Sequence, residues 1–215
     1  MVDIFEFWSD IGRGETVHPA DKSVLKRMNP KKHGFRTDCL PASYVGRLRD
    51  APVVLLYLSP GFDEQDLKEA ISDEGKDYYV RRWTGNEPLP DIGISGHNWL
   101  KSRTKYFTDY KIAKDSIAVL NIGAYHSINV NSYSSMLALP SSRASLDWAQ
   151  RTLFPDAESG KRIVICMRSA AYWGLETGRI YGKSLFTPEV TRKGYLVYND
   201  KNQKIKDMVY KSLNT

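Results

Sequence analysis

Two stretches of the chain place chemically capable side chains directly after apolar runs. In "VLNIGAYHSINV" (119–130), Asn121 closes the run, and Tyr125, His126 and Ser127 follow within six residues. A carboxamide carries a donor and an acceptor side by side, enough to pair with the edge of a heterocycle. A tyrosine ring stacks, an imidazole exchanges protons near neutral pH, and a serine hydrogen-bonds. In "LSPGFDEQDL" (58–67), Pro60 and Gly61 turn the chain, and Asp63 is placed to cap a helix through Gln65 or Asp66. A capped turn accounts for that stretch by itself. It also leaves Gly61 with no Cβ to hold a ligand off the backbone, and a helix N-terminus where an anion is favoured.

The elements that must position these residues are written in the hydrophobic pattern. "PVVLLYL" (52–58), "SIAVLNIG" (116–123) and "KRIVICM" (161–167) are apolar nearly throughout, as strands buried on both faces require. "GYLVYN" (194–199) has a weaker strand bias. Helical patterns lie between them: "DEQDLKEAISDEGKDYYVRRW" after the first, "NWLKSRTKYFTDY" before the second, "SSRASLDWAQRTLF" before the third and "SAAYWGLETG" after it. Alternating strand and helix predicts an α/β domain with a mostly parallel four-stranded sheet and helices on both sides. Residues 1–45, with "HPADKSVLKRMNPKKHGFRTD", read as an extension packed on a domain spanning 46–215. In open α/β sheets, ligands bind at the carboxyl ends of the strands. The first strand delivers Ser59, Gly61, Phe62 and Asp63 there, the second Asn121, Tyr125 and His126, and the third Arg168 and Ser169.

Composition narrows the classes. With 215 residues, 41% hydrophobic and 12% aromatic, the chain has the means to build a core and is not disordered. Only Cys39 and Cys166 are present, the latter inside an apolar run, so no disulfide framework is expected. The start "MVDIFEFWSD" lacks a basic n-region and no apolar run reaches membrane-spanning length, so a soluble, cytoplasmic protein without a membrane partner is expected. Net charge is +6 and unevenly spread: residues 161–215 hold eleven Lys/Arg against four Asp/Glu. A basic C-terminal quarter suits a polyanionic partner, although "KNQKIKDMVYKSL" also has the spacing of a solvated basic helix. The histidines at 18, 33, 97 and 126 are never at metal-ligand spacing, and two cysteines cannot hold a four-thiolate cluster. "GRIYGKS" (178–184) is one residue short of a phosphate-binding P-loop, and "MRSAAYWG" lacks a nucleophile elbow.

Taken together, "YLSPGF", "VLNIGAYHS" and "RIVICMRSAAYWGL" resemble, in order and over roughly residues 40–200, segments of the uracil-DNA glycosylase superfamily, and "APVVLLYLSPGF", "YHS" and "LPSS" are similar to a divergent bacterial branch of it. The resemblance implies a three-layer α/β/α sandwich around a four-stranded parallel sheet. It also implies excision of a damaged or modified base from DNA, without metal or organic cofactor. An enzyme working on a base takes it out of the stack first. The resemblance puts Asn121 in the base-reading position, with Phe62 or Tyr125 stacking and Gly61 opening the pocket to larger bases. His126, with Ser59 or Asp63, would handle water and leaving-group charge. Arg168, Thr187, Arg192 and Lys193 would meet DNA; the His-Pro-Ser motif of relatives has no clear match, with Thr187-Pro188 or Asn199 on offer in its region. Ser59 replaces the carboxylate or amide that relatives use to hold water. This departure favours the rival reading, a catalytically silent module that binds nucleic acid or a nucleotide in the same cleft. A small-molecule hydrolase, resting on His126 and Ser127, is a third reading.

Overall fold

The computed structural model describes residues 3–213. In chain order the strands are β1 (Tyr44–Val45), β2 (Val53–Tyr57), β3 (Ile117–Asn121), β4 (Ile163–Cys166), β5 (Ile180–Tyr181) and β6 (Leu185–Phe186). The helices that position them are α1 (Ile4–Ser9), α2 (Pro19–Arg27), α3 (Pro30–His33), α4 (Glu64–Ile71), α5 (Asp73–Arg82), α6 (His97–Thr104), α7 (Tyr110–Ser116), α8 (Tyr133–Ala138), α9 (Pro140–Trp148), α10 (Phe154–Ser159) and α11 (Asp200–Leu213). Every residue of β2, β3 and β4 is buried, which is why these segments carry no alternating polar positions.

The strands form one mixed sheet of six, in the order β1-β3-β2-β4-β6-β5. β2 lies between β3 and β4 and pairs with both in parallel, with Tyr57 opposite Asn121 and Leu56 opposite Cys166. β6 continues the parallel set beside β4, while β1 and β5 are antiparallel edge strands. Connections therefore leave β2 toward β3 on one side and return past it to β4 on the other. That reversal opens a crevice at the carboxyl ends of β2 and β4, where open α/β sheets bind their ligands.

The two-residue period of the strands divides the core. Val54 and Leu56 face a cluster with Ile4, Trp8, Tyr44 and Trp173, whereas Val53, Leu55 and Tyr57 face Leu100, Phe107, Ile205 and Val209. The first 45 residues thus supply side chains to the same core as the central strand. Among the described residues, no helix is long and apolar enough to cross a membrane.

Three local expectations are corrected. The predicted strand 194–199 is a turn followed by irregular chain with a single bridge, Val190 to Leu196. Gly194 takes φ +77°, and Thr191 exchanges backbone hydrogen bonds around it with Gly194 and Tyr195, so the chain folds back instead of pairing. The fourth parallel strand is Leu185–Phe186, too short for its pattern to stand out. The helical run 63–83 is two helices: Ser72 closes α4, and its hydroxyl accepts from the Gly75 N–H to start α5. After β4 there is only one tight turn of helix, Ala170–Trp173.

Trp8 tests whether the N-terminal segment belongs to this core. It is fully buried and its ring stacks on Trp83, with centroids 4.7 Å apart and planes at 15°. Trp8→Ala is expected to cost about 3–5 kcal/mol, measured as a lower urea midpoint at an unchanged slope. A loss below about 0.5 kcal/mol, the range of surface substitutions, would mean that α1 does not hold to the domain in solution.

Candidate functional site

The carboxyl ends of β2, β3 and β4 open into a cleft of about 710 Å³. One lip is the Ser59–Asp63 turn. It is held to the chain after β3 by a ladder of backbone hydrogen bonds: the N–H groups of Ile122, Gly123 and Ser127 donate to the carbonyls of Tyr57, Leu58 and Pro60. Phe62 lies under the Arg36 guanidinium, 4.1 Å from carbon to ring centroid. Gly61 has open space where a Cβ would stand. Asp63 caps α4: its Oδ1 accepts from the Gln65 N–H at 2.9 Å, and Asp66 Oδ2 accepts from the Asp63 N–H at 2.7 Å. The capping box also sets the Asp66 N–H on the Asp63 side chain, and the residue is exposed at the cleft.

Asn121 ends β3 on the cleft floor, 6% exposed. Its Nδ2 donates to the Ala42 carbonyl at 2.9 Å, which fixes the rotamer, and no described residue donates to its Oδ1. The oriented amide therefore offers the cleft an acceptor.

His126 is 4% exposed, and oxygen acceptors face both ring nitrogens. Nδ1 lies 2.7 Å from the Gly61 carbonyl and 3.2 Å from Asp66 Oδ2, and Nε2 lies 3.1 Å from the Leu40 carbonyl. The tautomer decides which nitrogen donates, and the Asp66 carboxylate lies beside Nδ1. Burial pushes the Asp66 carboxyl up, but the His126 hydrogen bond and charge, the Ser95 hydroxyl and the Asp63 N–H together hold it below its ordinary range. Ser95 joins a second carboxylate to the group, its N–H donating to Glu69 Oε1 at 2.6 Å. Burial raises the Glu69 carboxyl.

These contacts separate the residues expected at the site. Ser59, Gly61, Phe62, Asp63, Asn121, His126, Arg168 and Lys193 all line the cleft. His126, expected as a catalytic group, has its nitrogens taken up by the protein and acts as a clamp. Tyr125, expected to stack on a ligand, instead lies in the core: its hydroxyl donates to Asp21 Oδ2 at 2.7 Å, because the buried Asp21 needs donors and takes them from Tyr125 and the Ser141 N–H. Thr187, expected at DNA, is buried between the carbonyls of Glu176 and Arg179, where its hydroxyl closes the β5–β6 hairpin. Arg192 is exposed and outside the cleft lining.

Sequence reasoning missed Asp66, Ser95, Trp99 and Arg103, all of which line the cleft. The spacing of Asp63 and Asp66 is a capping-box signal, and Trp99 and Arg103 lie one helical turn apart, but neither pattern tells which end of the sheet it meets. Cys39 and Cys166 are free, and burial pushes both thiols up to about 12. Among the described residues, no group of three or more His, Cys, Asp or Glu side chains is gathered as a metal site needs. No family model, curated protein or solved structure matches this chain.

The clamp predicts a pH signature. Asp66→Ala leaves the buried His126 ring and the Ser95 hydroxyl without the carboxylate they contact, and is expected to cost about 1–3 kcal/mol. Because the folded Asp66 value lies below the unfolded one, its contribution is complete above the ordinary carboxylate value, about 4, and is lost as pH falls through the lowered folded value. Urea midpoints of wild type and Asp66→Asn should therefore converge below about pH 4. A gap that stays constant from neutral to acid pH would rule out an ionised Asp66 as the source of the stability.

Proposed function

We propose that this chain is a DNA glycosylase-like protein, related to the uracil-DNA glycosylase superfamily in its three-layer α/β/α plan, which receives an extruded damaged or modified base and hydrolyses its N-glycosidic bond. The observation that carries the reading is the oriented Asn121 amide in the cleft, its Oδ1 without a donor among the described residues, in a lining that also holds the Gly61 turn with open space where a Cβ would stand. An acceptor there pairs with an N–H on a base edge, and Phe62 supplies an adjacent aromatic surface.

In this reading water adds at the sugar carbon as the bond to the base nitrogen breaks, and the departing base takes up a proton. Asp63, exposed at the cleft, is the carboxylate that would accept the proton of water and stabilise positive charge on the sugar. Ser59, beside it on the turn, orients the water. His126 acts as a positioning residue: it pins the Gly61 carbonyl, and so the turn that carries Asp63. The basic side chains of Arg168 and Lys193 at the cleft supply sequence-independent attraction to a phosphate backbone.

One observation favours the silent module. The only histidine lining the cleft with Asn121 besides His97 is His126, which is committed at both nitrogens, and His97 Nδ1 contacts the Pro90 carbonyl at 3.0 Å. Without a free imidazole, protonation of the leaving base falls to solvent or to the base itself.

Incubation with DNA carrying a panel of modified bases, followed by mass spectrometry of released base, separates the two readings. The wild type is expected to release at least one base, and Asp63→Asn to slow release by about 10²–10⁴-fold, the usual worth of acid–base assistance. Asn121→Ala is expected to narrow the preference among bases by about tenfold or more. Salt-sensitive DNA binding with no release from any substrate leaves the silent module as the function.

A further inference from the structure

A second wall of the cleft takes no part in base reading. Tyr57, the last residue of β2, packs edge-on against Trp99 with centroids 4.9 Å apart, and its hydroxyl is buried with no partner among the described residues. Arg103 follows Trp99 by one turn of α6. Its guanidinium carbon lies 4.1 Å from the Tyr195 ring centroid and 5.4 Å from that of Trp99. Its Nε and Nη1 are buried and also lack hydrogen-bond partners among the described residues. Arg168, from the end of β4, and Lys193 stand in the same lining. A Cβ on Gly194 would lie 3.3 Å from the Arg168 side chain and 3.9 Å from the Tyr57 ring, so the turn carrying Lys193 and Tyr195 rests on both.

Buried polar atoms without partners are costly, charged ones most of all, and native structures hold few of them. Here three share one wall. The guanidinium only donates, and burial raises the Tyr57 phenol, so that it keeps its proton and donates too. A phenol that can donate, beside the cations Arg103, Arg168 and Lys193, favours an anion. A phosphate, with several oxygens and up to two charges, answers the planar guanidinium fork and the adjacent cations more fully than a single carboxylate does. The wall also lies at the β2–β4 crevice that the strand order opens.

We infer that Tyr57 and Arg103 form a phosphate subsite, with Arg168 and Lys193 at its rim, so that the cleft takes a phosphorylated nucleotide or a strand segment rather than a free base or nucleoside. The identity of the rest of that ligand rests on the base-reading proposal above.

The test is titration of the full chain at fixed ionic strength, followed by phosphorus and proton NMR. The probes are inorganic phosphate, 2-deoxyribose 5-phosphate, the common deoxynucleosides with their 5′-monophosphates, and a dinucleoside monophosphate. Phosphate-bearing probes are expected to bind, and Tyr57→Phe to weaken them by about tenfold or more, with deoxynucleosides unaffected. That variant removes a hydroxyl with no protein partner, so its thermal midpoint should not fall. Arg103→Met should weaken the same probes further. Tighter binding of the dinucleoside monophosphate than of the monoesters identifies a strand, and the reverse a free nucleotide.

The inference is overturned if no phosphate probe binds the wild type, or if Tyr57→Phe and Arg103→Met bind phosphate probes as well as the wild type does. It is overturned with base reading intact if deoxynucleosides bind in an Asn121-dependent way and a phosphate adds nothing. It stands, and base reading falls, if deoxyribose phosphate binds as tightly as every monophosphate, loses affinity in Tyr57→Phe and ignores Asn121→Ala.

Discussion

The Nδ1 of His126 lies between the Gly61 carbonyl and the Asp66 carboxylate, and the geometry of the cleft depends on that buried contact. Through it and through Nε2, one imidazole ties together the Ser59–Asp63 turn, the first turn of α4, and Leu40 in the chain leading to β1. Asp66 extends the tie to Ser95, and Ser95 extends it to Glu69. Removing one member of a buried polar contact leaves the other unsatisfied, which is costly, so the loops it joins have few alternative arrangements. The clamp fixes where Asp63, Phe62 and Asn121 stand relative to one another.

The cleft is electrically divided as a result. On one side, the Asp66 and Glu69 carboxylates are taken up by His126 and by hydroxyl and amide donors. On the other, Arg103, Arg168 and Lys193 line the cleft, and among the described residues the Arg103 guanidinium is met by the faces of Trp99 and Tyr195. Cation–π contacts of this kind are worth about 0.5–2 kcal/mol, less than charge-assisted hydrogen bonds give together, so the guanidinium retains its capacity for an anion. Tyr195 reflects the same field: a hydrogen bond with Ser102 and the nearby Arg103 charge hold its phenol below the ordinary range. A ligand with an acceptor-rich, negative end and a donor-bearing ring at the other matches the division.

Much of this follows from strand order. Placing β2 between β3 and β4 brings three segments, distant in sequence, to one edge, and it puts Tyr57 opposite Asn121 in register. The β1 edge then sets the Asn121 amide, because Ala42, next to β1, accepts its Nδ2 hydrogen bond.

The sequence by itself determined the three central strands, since unbroken apolar runs such as "VVLLY" and "IVIC" are stable only when buried on both faces. It determined that Ser59, Asn121 and Arg168 lie at strand ends, and that Asp63 starts a helix, because Pro-Gly turns and side-chain caps are local events. It did not reveal β6, whose two residues carry no periodicity, or the break at Ser72, whose hydroxyl chooses its partner only once both helices exist. Tertiary structure alone decided the roles of His126, Tyr125 and Thr187. Each stands beside residues that suit a site, yet each, itself buried, is drawn to a partner far away in the chain or across a hairpin: Leu40 and Asp66, Asp21, and the carbonyls of Glu176 and Arg179. Buried polar atoms must be paired, and which partner they find depends on packing that no local spacing encodes. For the same reason Tyr57 and Arg103 read as ordinary core and helix residues until the fold buried their polar atoms beside the cleft with no partner among the described residues.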